Sequence, residues 1–167
     1  MSDEERKMIY KPEGHHCFAC GTANPIGLQL EFYRSGEHIC SDITLGKNHV
    51  GWENIAHGGI ISTILDEVMS WAILYFKREF FLTRKMQVKY IRPVLVEKPL
   101  TMKGSILDDT DSRKLKAKSE LFDEQGTLLS KGSGEFVLLS KEELTSVPEG
   151  LKEEMFLLLE EMDSTTK

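Results

Sequence analysis

Several features are scarce in this chain of 167 residues, and each shortage argues against a class of protein. Its three cysteines are an odd number, so a disulfide framework is not expected. Lys and Arg number 21 against 27 Asp and Glu, a net charge of −6 that argues against a general nucleic-acid binder. No stretch approaches the roughly 20 uncharged apolar residues of a membrane span. The charged first seven residues are unlike a secretory signal, so we expect a cytoplasmic protein with neither a membrane nor a nucleic-acid partner.

What the chain does contain is typical of one globular domain over residues 1–167. Hydrophobic residues make up 40% and charged residues 29% of it. Residues 1–14 are polar and are predicted to be flexible or weakly helical, and residues 141–167 are predicted to form an acidic helical tail. Residues 84–118 hold ten basic and four acidic side chains in an otherwise acidic protein. This basic stretch would suit a phosphorylated ligand, or it is an ordinary solvated strand face.

The hydrophobic pattern predicts one long helix among antiparallel strands. Residues 60–76 repeat apolar side chains at helical spacing and keep only a narrow polar stripe, as expected for a core helix wrapped by a curved sheet. Two strands, a long helix and then four strands is an α+β order. Period-two alternation predicts these strands at residues 26–33, 39–45, 82–94, 100–107, 113–122 and 127–139.

Cys17 and Cys20 form a Cys-x-x-Cys motif directly after His15 and His16. Two thiolates at this spacing are half of a tetrahedral zinc site. A second such motif or a close pair of histidines is missing, and Cys40 lies within an alternating strand. A tight structural turn therefore explains the motif better. We expect no bound metal and, because no strand–helix unit surrounds the motif, no redox role.

His57, Gly58 and Gly59 stand at the start of the predicted helix. Two glycines let a ligand approach the backbone closely, and the first N–H groups of a helix have no partner inside it. Together with the positive end of the helix dipole, such N–H groups can stabilise an oxyanion. The alternative is a tight turn that His57 caps.

Asp66 and Glu67 are the two charged residues between Ile60 and Phe76. Neither has a Lys or Arg three or four residues away, so neither has a helical ion-pair partner. The serines and threonines around them suggest a stripe that packs against other atoms, which would raise the basicity of Asp66. Two exposed carboxylates are the alternative. Gly59 and Asp66 would lie about 10 Å apart along the helix, so a site that uses both needs one residue from each chain of a two-fold dimer.

Over residues 15–139 the chain resembles the hotdog-fold acyl-CoA thioesterases of the PaaI-type group. The resemblance implies an α+β hotdog fold, with a curved antiparallel sheet of about six strands around one long central helix. It also implies a homodimer or homotetramer with active sites at the subunit interface. The matching segments are Cys17-Phe-Ala-Cys20-Gly, Asn24-Pro-Ile-Gly-Leu28, His57-Gly-Gly59, Asp66 and Tyr90-Ile-Arg-Pro93-Val94.

The resemblance implies a role for each matching site residue. Asp66 matches the catalytic carboxylate, which acts as a nucleophile or as general base for water. The Gly59 N–H matches the oxyanion donor, and His57 matches the histidine beside the thioester. Thr83 matches a Ser or Thr that positions the water or the carboxylate.

Two further points concern water and substrate. Many members of the group carry Asn or Gln six residues before the histidine, where this chain has Gly51, and Asn48 or Asn54 would have to substitute. The residues expected to bind substrate, the basic ones through the phosphates of coenzyme A, are Gly58, Arg84, Arg113, Lys114 and Lys116, with Lys118 on the same strand face.

The sequence thus predicts an enzyme that hydrolyses acyl-CoA to a carboxylic acid and coenzyme A, with no cofactor besides the coenzyme A of its substrate. An enoyl-thioester hydratase or dehydratase of the same fold is one alternative, because such sites also pair histidine with a carboxylate. A non-catalytic acyl-CoA-binding protein is the other.

Overall fold

The computed structural model describes residues 6–164, in which a large antiparallel sheet packs against one long helix. The main sheet has the order β1-β2-β3-β7-β8-β9-β6, and β4 and β5 form a separate pair. The strands are β1 (Lys7–Ile9), β2 (Phe32–Ser35), β3 (His38–Thr44), β4 (Val50–Trp52), β5 (Ile55–Ala56), β6 (Phe81–Tyr90), β7 (Pro99–Asp108), β8 (Lys114–Asp123) and β9 (Leu128–Leu138). The helices are α1 (Gly58–Lys77), α2 (Lys141–Thr145) and α3 (Glu149–Ser164), and a 3₁₀ turn covers Lys47–His49.

The predicted α+β fold with a central helix is confirmed, but the main sheet has seven strands where about six were expected. The additional strand, β1, lies within the segment 1–14 that was predicted to be flexible or weakly helical. It pairs with β2 at the sheet edge, with Met8 opposite Tyr33. Residues 1–5 of that segment and residues 165–167 of the predicted tail lie outside the described part of the chain.

The first predicted strand, at residues 26–33, is correct in its burial pattern but wrong in its hydrogen bonding. Leu28 and Leu30 are buried, as the alternation requires. Their N–H groups, however, donate to carbonyls of the preceding turn rather than to a neighbouring strand. Gln29 between them has a φ of 52°, a left-handed value that a strand does not contain. Regular pairing therefore begins only at β2.

Helix α1 is longer than the predicted span of residues 60–76 by two residues at its start and by one at its end. His57 caps its first turn, because the imidazole accepts a hydrogen bond from the Gly59 N–H. The helix ends at Arg78, whose φ of 56° turns the chain into the left-handed region. The Arg78 N–H donates to the Leu74 carbonyl and satisfies one of the last free acceptors of the helix.

The core lies between α1 and the sheet. By length and composition alone α1 could cross a membrane, but half of its most apolar stretch is buried inside the protein. Trp71 stacks on Phe32 of β2 with ring centroids 4.6 Å apart. At Gly104 of β7 the two layers approach so closely that a Cβ atom would lie 2.4 Å from the Val68 carbonyl oxygen. The position of α1 over the sheet is thus fixed by packing along its length.

The C-terminal segment contains two helices, α2 before Pro148 and α3 after it. A capping box starts α2, in which Ser140 and Glu143 exchange side-chain to backbone hydrogen bonds. Helix α3 returns to the core, where Met162 is fully buried and Phe156 meets Phe80 with ring centroids 5.7 Å apart.

Candidate active site

The start of α1 brings His57 and Gly59 together at an exposed position. The Gly59 N–H donates to His57 Nδ1 at 2.9 Å. Because Nδ1 accepts this bond, the proton of the neutral imidazole is on Nε2. The N–H expected to stabilise an oxyanion therefore already has an acceptor within its own chain.

Asp66 lies half-buried on the polar stripe of α1, and Thr83 of β6 reaches it. Thr83 Oγ1 donates to Asp66 Oδ1 at 3.4 Å. Burial raises the pKa of Asp66 above its ordinary value, and the Thr83 hydrogen bond opposes that rise. Within residues 6–164, no Lys or Arg lies at ion-pair distance from Asp66. The structure thus brings together two predicted site residues that are 17 positions apart in sequence.

A β-bulge in β6 makes this contact possible. The pairing with β9 shifts between Thr83 and Lys85, which leaves Arg84 as an extra residue. Met86 packs into the core beneath α1. Thr83 and Met86 are three residues apart and would face opposite sides of a regular strand, but the bulge lets both face α1.

Gly59 and Asp66 lie on the same helix, seven residues and so about 10 Å apart. A single reacting carbonyl cannot contact both residues of one chain. A shared site built from two copies of the chain stays a prediction.

Tyr90 adds a contact at the start of α1 that sequence reasoning missed. Its hydroxyl donates to the Gly58 carbonyl at 3.0 Å and lies 2.7 Å from Ser62 Oγ. Beside it is an open cavity of about 300 Å³, also lined by Ile61 and Arg92. Tyr90 and Arg92 belonged to a matched motif but had no assigned role, since only the folded chain places the end of β6 against α1.

The Gly51 position leaves little space for the amide side chain that the resemblance led us to expect there. A Cβ atom at Gly51 would lie 3.0 Å from His57 Cα, so β4 runs directly against the residue that caps α1. The alternatives, Asn48 and Asn54, are both exposed. A larger residue at position 51 would require β4 or the start of α1 to move.

The basic residues predicted to bind phosphates lie apart from Asp66 within one chain. Lys114 and Lys116 are exposed on β8, whereas the alternating Leu115 and Ala117 are buried in the core with α1. The two lysines therefore project from the outer face of the sheet. Arg113 forms an ion pair of 2.9 Å with Glu143. Arg84 is exposed at the bulge of β6. Their phosphate-binding role stays a prediction.

Glu67 next to Asp66 points to a different group of side chains, at the Cys-x-x-Cys turn. Its Oε1 accepts a hydrogen bond from Trp71 Nε1 at 3.0 Å and lies 3.9 Å from Cys17 Sγ. Burial raises the pKa of Glu67 to about 7. A hydrogen bond from the Cys20 thiol lowers the pKa of Cys17 to about 5 and correspondingly raises that of Cys20. Sequence reasoning expected the tight turn but not the contact with Glu67.

The part of the chain that contains α1 and β6 also matches a known protein family. Residues 53–130, from the turn after β4 into β9, match the family model described as the thioesterase superfamily. A search of curated proteins found no significant match.

Solved structures match the fold over a larger part of the chain. A thioesterase superfamily protein is 24% identical with a TM-score of 0.68, over 73% of this chain but only 60% of its own length. Zebrafish thioesterase superfamily member 2 is 17% identical with a TM-score of 0.62, over 72% of this chain and 87% of its own. A hypothetical thioesterase from Streptococcus pneumoniae, solved with coenzyme A, is 15% identical with a TM-score of 0.58, over 62% of this chain and 80% of its own. At these identities the structures establish a shared fold.

Proposed function

We propose that this chain is a hotdog-fold thioesterase of the PaaI type, which hydrolyses an acyl-CoA thioester to a carboxylic acid and free coenzyme A. The match of residues 53–130 to the thioesterase superfamily supports this proposal. The observation that carries the proposal is the surroundings of the Asp66 carboxylate. It is half-buried, it accepts a hydrogen bond from Thr83, and within residues 6–164 it has no ion-pair partner. A carboxylate that is partly desolvated and oriented by one hydroxyl is suited to proton transfer or nucleophilic attack.

Asp66 would act in its ionised form by either of two routes. As a general base it accepts a proton from water while the water oxygen bonds to the thioester carbonyl carbon. The resulting intermediate collapses, the carbon–sulfur bond breaks, and the departing thiolate recovers the proton. As a nucleophile it forms a mixed anhydride and releases the thiolate first, and water then hydrolyses the anhydride.

The developing oxyanion would be stabilised at the start of α1. The Gly59 N–H is oriented by the helix and lies at the positive end of its dipole. Because this N–H donates to His57 Nδ1 in the free chain, the oxyanion must replace the imidazole as its acceptor. His57 carries its proton on Nε2 and so offers a second donor to the thioester.

A complete site requires a second copy of the chain. Because they lie about 10 Å apart along α1, Asp66 and Gly59 of one chain would serve different sites. In a two-fold dimer, Asp66 of one protomer would face His57 and Gly59 of its partner, and each dimer would hold two equivalent sites.

The substrate class is supported by the coenzyme A bound to the pneumococcal relative. In this chain, the cavity beside Gly58 and Tyr90 would hold the part of the substrate next to the thioester, because its wall continues into the start of α1. The exposed basic residues would bind the phosphates as ion pairs of modest individual strength. These residues are Arg84, Arg113, Lys114 and Lys116.

The proposal is tested by measuring thiol release from short, long and aromatic acyl-CoAs with the purified full chain. We expect catalytic thiol release from at least one class. Enoyl-CoA hydration without thiol release would instead identify a hydratase, and saturable binding in calorimetry with no thiol released over hours would identify a binding protein. Either of these two results would contradict the proposed hydrolysis.

The binding-protein alternative has specific support in the structure. The Gly59 N–H is occupied by His57, and Gly51 supplies no side chain to position water. A protein of this kind would bind acyl-CoA as the enzyme does, and the Asp66→Asn variant would bind and release it as the wild type does.

A further inference from the structure

The Cys-x-x-Cys turn and α1 together form a group of metal-ligand atoms that the proposed reaction does not use. In the part of the chain that the structure describes, Cys17, Cys20 and Glu67 are the one group of three or more His, Cys, Asp or Glu residues with ligand atoms all within 4.8 Å of one another. We propose that these three side chains bind a zinc ion, which fastens the N-terminal turn to α1. The sequence suggested no metal because nothing in it connects the motif to Glu67, 47 residues after Cys20.

The ligand types and their spacing fit zinc. Zinc binds thiolate sulfur at about 2.3 Å and carboxylate oxygen at about 2.0–2.2 Å, and its structural sites are tetrahedral. A tetrahedron with these bond lengths separates sulfur from oxygen by about 3.6 Å. Cys17 Sγ lies 3.9 Å from Glu67 Oε1, close to that separation, and the ligand atoms of all three residues lie within 4.8 Å of one another. Two thiolates also favour zinc over the hard cations Mg²⁺ and Ca²⁺.

Surrounding groups hold the ligands in place, as the outer shell of a metal site does. The Trp71 indole N–H donates to Glu67 Oε1 at 3.0 Å and orients the carboxylate. The Gly21 N–H donates to the Cys17 carbonyl at 2.9 Å and closes the turn that carries both cysteines. The turn is sharp at Gly21, where a Cβ atom would lie 2.5 Å from the Cys17 nitrogen.

The fourth coordination position is reachable from solvent. The three ligands line an open cavity of about 280 Å³ beneath α3, and His15 lines the same cavity. A water molecule can complete the tetrahedron from that side. Zinc binding would displace the thiol proton of Cys20, and the positive charge of the ion would offset the negative charges of the two thiolates.

The consequence would be structural. The turn supplies the carbonyls that accept hydrogen bonds from Leu28 and Leu30, so an ion at Glu67 would tie the segment before β2 to the central helix. Glu67 is also adjacent to Asp66, and fixing it would fix that turn of α1. The zinc proposal does not rest on thioester hydrolysis, and its test requires no substrate.

The test uses the reduced, metal-stripped full chain, titrated with Zn²⁺ against a chromogenic chelator and separately with Co²⁺. We expect one Zn²⁺ per chain and, with Co²⁺, a thiolate-to-cobalt charge-transfer band with the visible bands of tetrahedral coordination. Cys17→Ser and Cys20→Ser should each weaken Zn²⁺ binding by more than the roughly 10–100-fold that loss of an outer-shell partner costs. Glu67→Gln should weaken it by about tenfold or more.

Cys40→Ser is the matched control, since Cys40 is a buried cysteine in β3 outside the group. It should bind Zn²⁺ as the wild type does, and circular dichroism checks that every variant is folded. Zn²⁺ should also raise the thermal unfolding midpoint of the wild type and of Cys40→Ser but not that of Cys20→Ser. Equal Zn²⁺ affinity in the wild type and Cys20→Ser, or a wild type without the Co²⁺–thiolate band, would overturn the proposal.

Discussion

Replacing Thr83 by valine tests whether the Thr83 hydroxyl tunes and positions Asp66. Valine keeps the shape of the side chain but removes the donor to Asp66 Oδ1. Hydrogen bonds to charged groups contribute about 1.5–3 kcal/mol, but a separation of 3.4 Å is long for a hydroxyl donor, so we expect a loss of about 1 kcal/mol. This corresponds to about a fivefold decrease in kcat/KM when Asp66 is fully ionised.

The same substitution should change the pH dependence in a defined direction. Burial raises the pKa of Asp66 and the Thr83 hydrogen bond lowers it, so removing the bond raises the pKa further. The carboxylate is the active form, so activity falls as the pH drops below the pKa of Asp66. Because this pKa is higher in Thr83→Val, the variant should lose activity at a higher pH than the wild type.

The assay is the pH profile of kcat/KM for thiol release with the best acyl-CoA. The acidic limb should move to higher pH in Thr83→Val, and Thr83→Ser, which keeps a hydroxyl, should retain the wild-type limb. A Thr83→Val profile that superimposes on that of the wild type would refute the assigned role of the hydrogen bond.

Two further predictions concern the dimer and the core. His57→Ala and Asp66→Asn should each be nearly inactive alone, yet mixing them under subunit exchange should restore about a quarter of wild-type thiol release, because half of the dimers are hybrids with one intact site. If mixing restores no thiol release, His57 and Asp66 of the same chain belong to one site, and the shared site is contradicted. Gly104→Ala should destabilise the fold by about 1–3 kcal/mol in urea unfolding, since its Cβ meets the Val68 carbonyl. Gly46→Ala, with open space around it and a negative φ, is the control, and equal midpoints for the two would contradict the packing argument.

Elements with a long periodic pattern could be predicted from the sequence. Helix α1 and strands β7, β8 and β9 begin and end within a few residues of the predicted spans, because each presents one continuous apolar face to the core. Strand β1 has only three residues and no such pattern, and it is defined by its hydrogen bonds to β2. The predicted burial of the residues on either side of Gln29 is correct. The left-handed conformation of Gln29 itself, however, prevents regular strand pairing there.

The candidate site was predictable as a set of residues but not as an arrangement. The pairing of Thr83 with Asp66 depends on a bulge that leaves no alternation signal of its own. Glu67 was noticed as a carboxylate without a helical partner, but its contact with Cys17 arises only when a distant turn packs on α1. The Gly59 N–H can donate either to the His57 imidazole or to a ligand. The sequence spacing of these two residues does not show which of the two acceptors it has.

The most direct test of the central claim compares thiol release and ligand binding in the wild type and Asp66→Asn. Asparagine preserves the size of the side chain but removes its ability to attack or to accept a proton. We expect a decrease in kcat of about 10²–10⁴-fold, with coenzyme A binding in calorimetry and the unfolding midpoint close to wild type. Thiol release by Asp66→Asn at the wild-type rate would contradict the account.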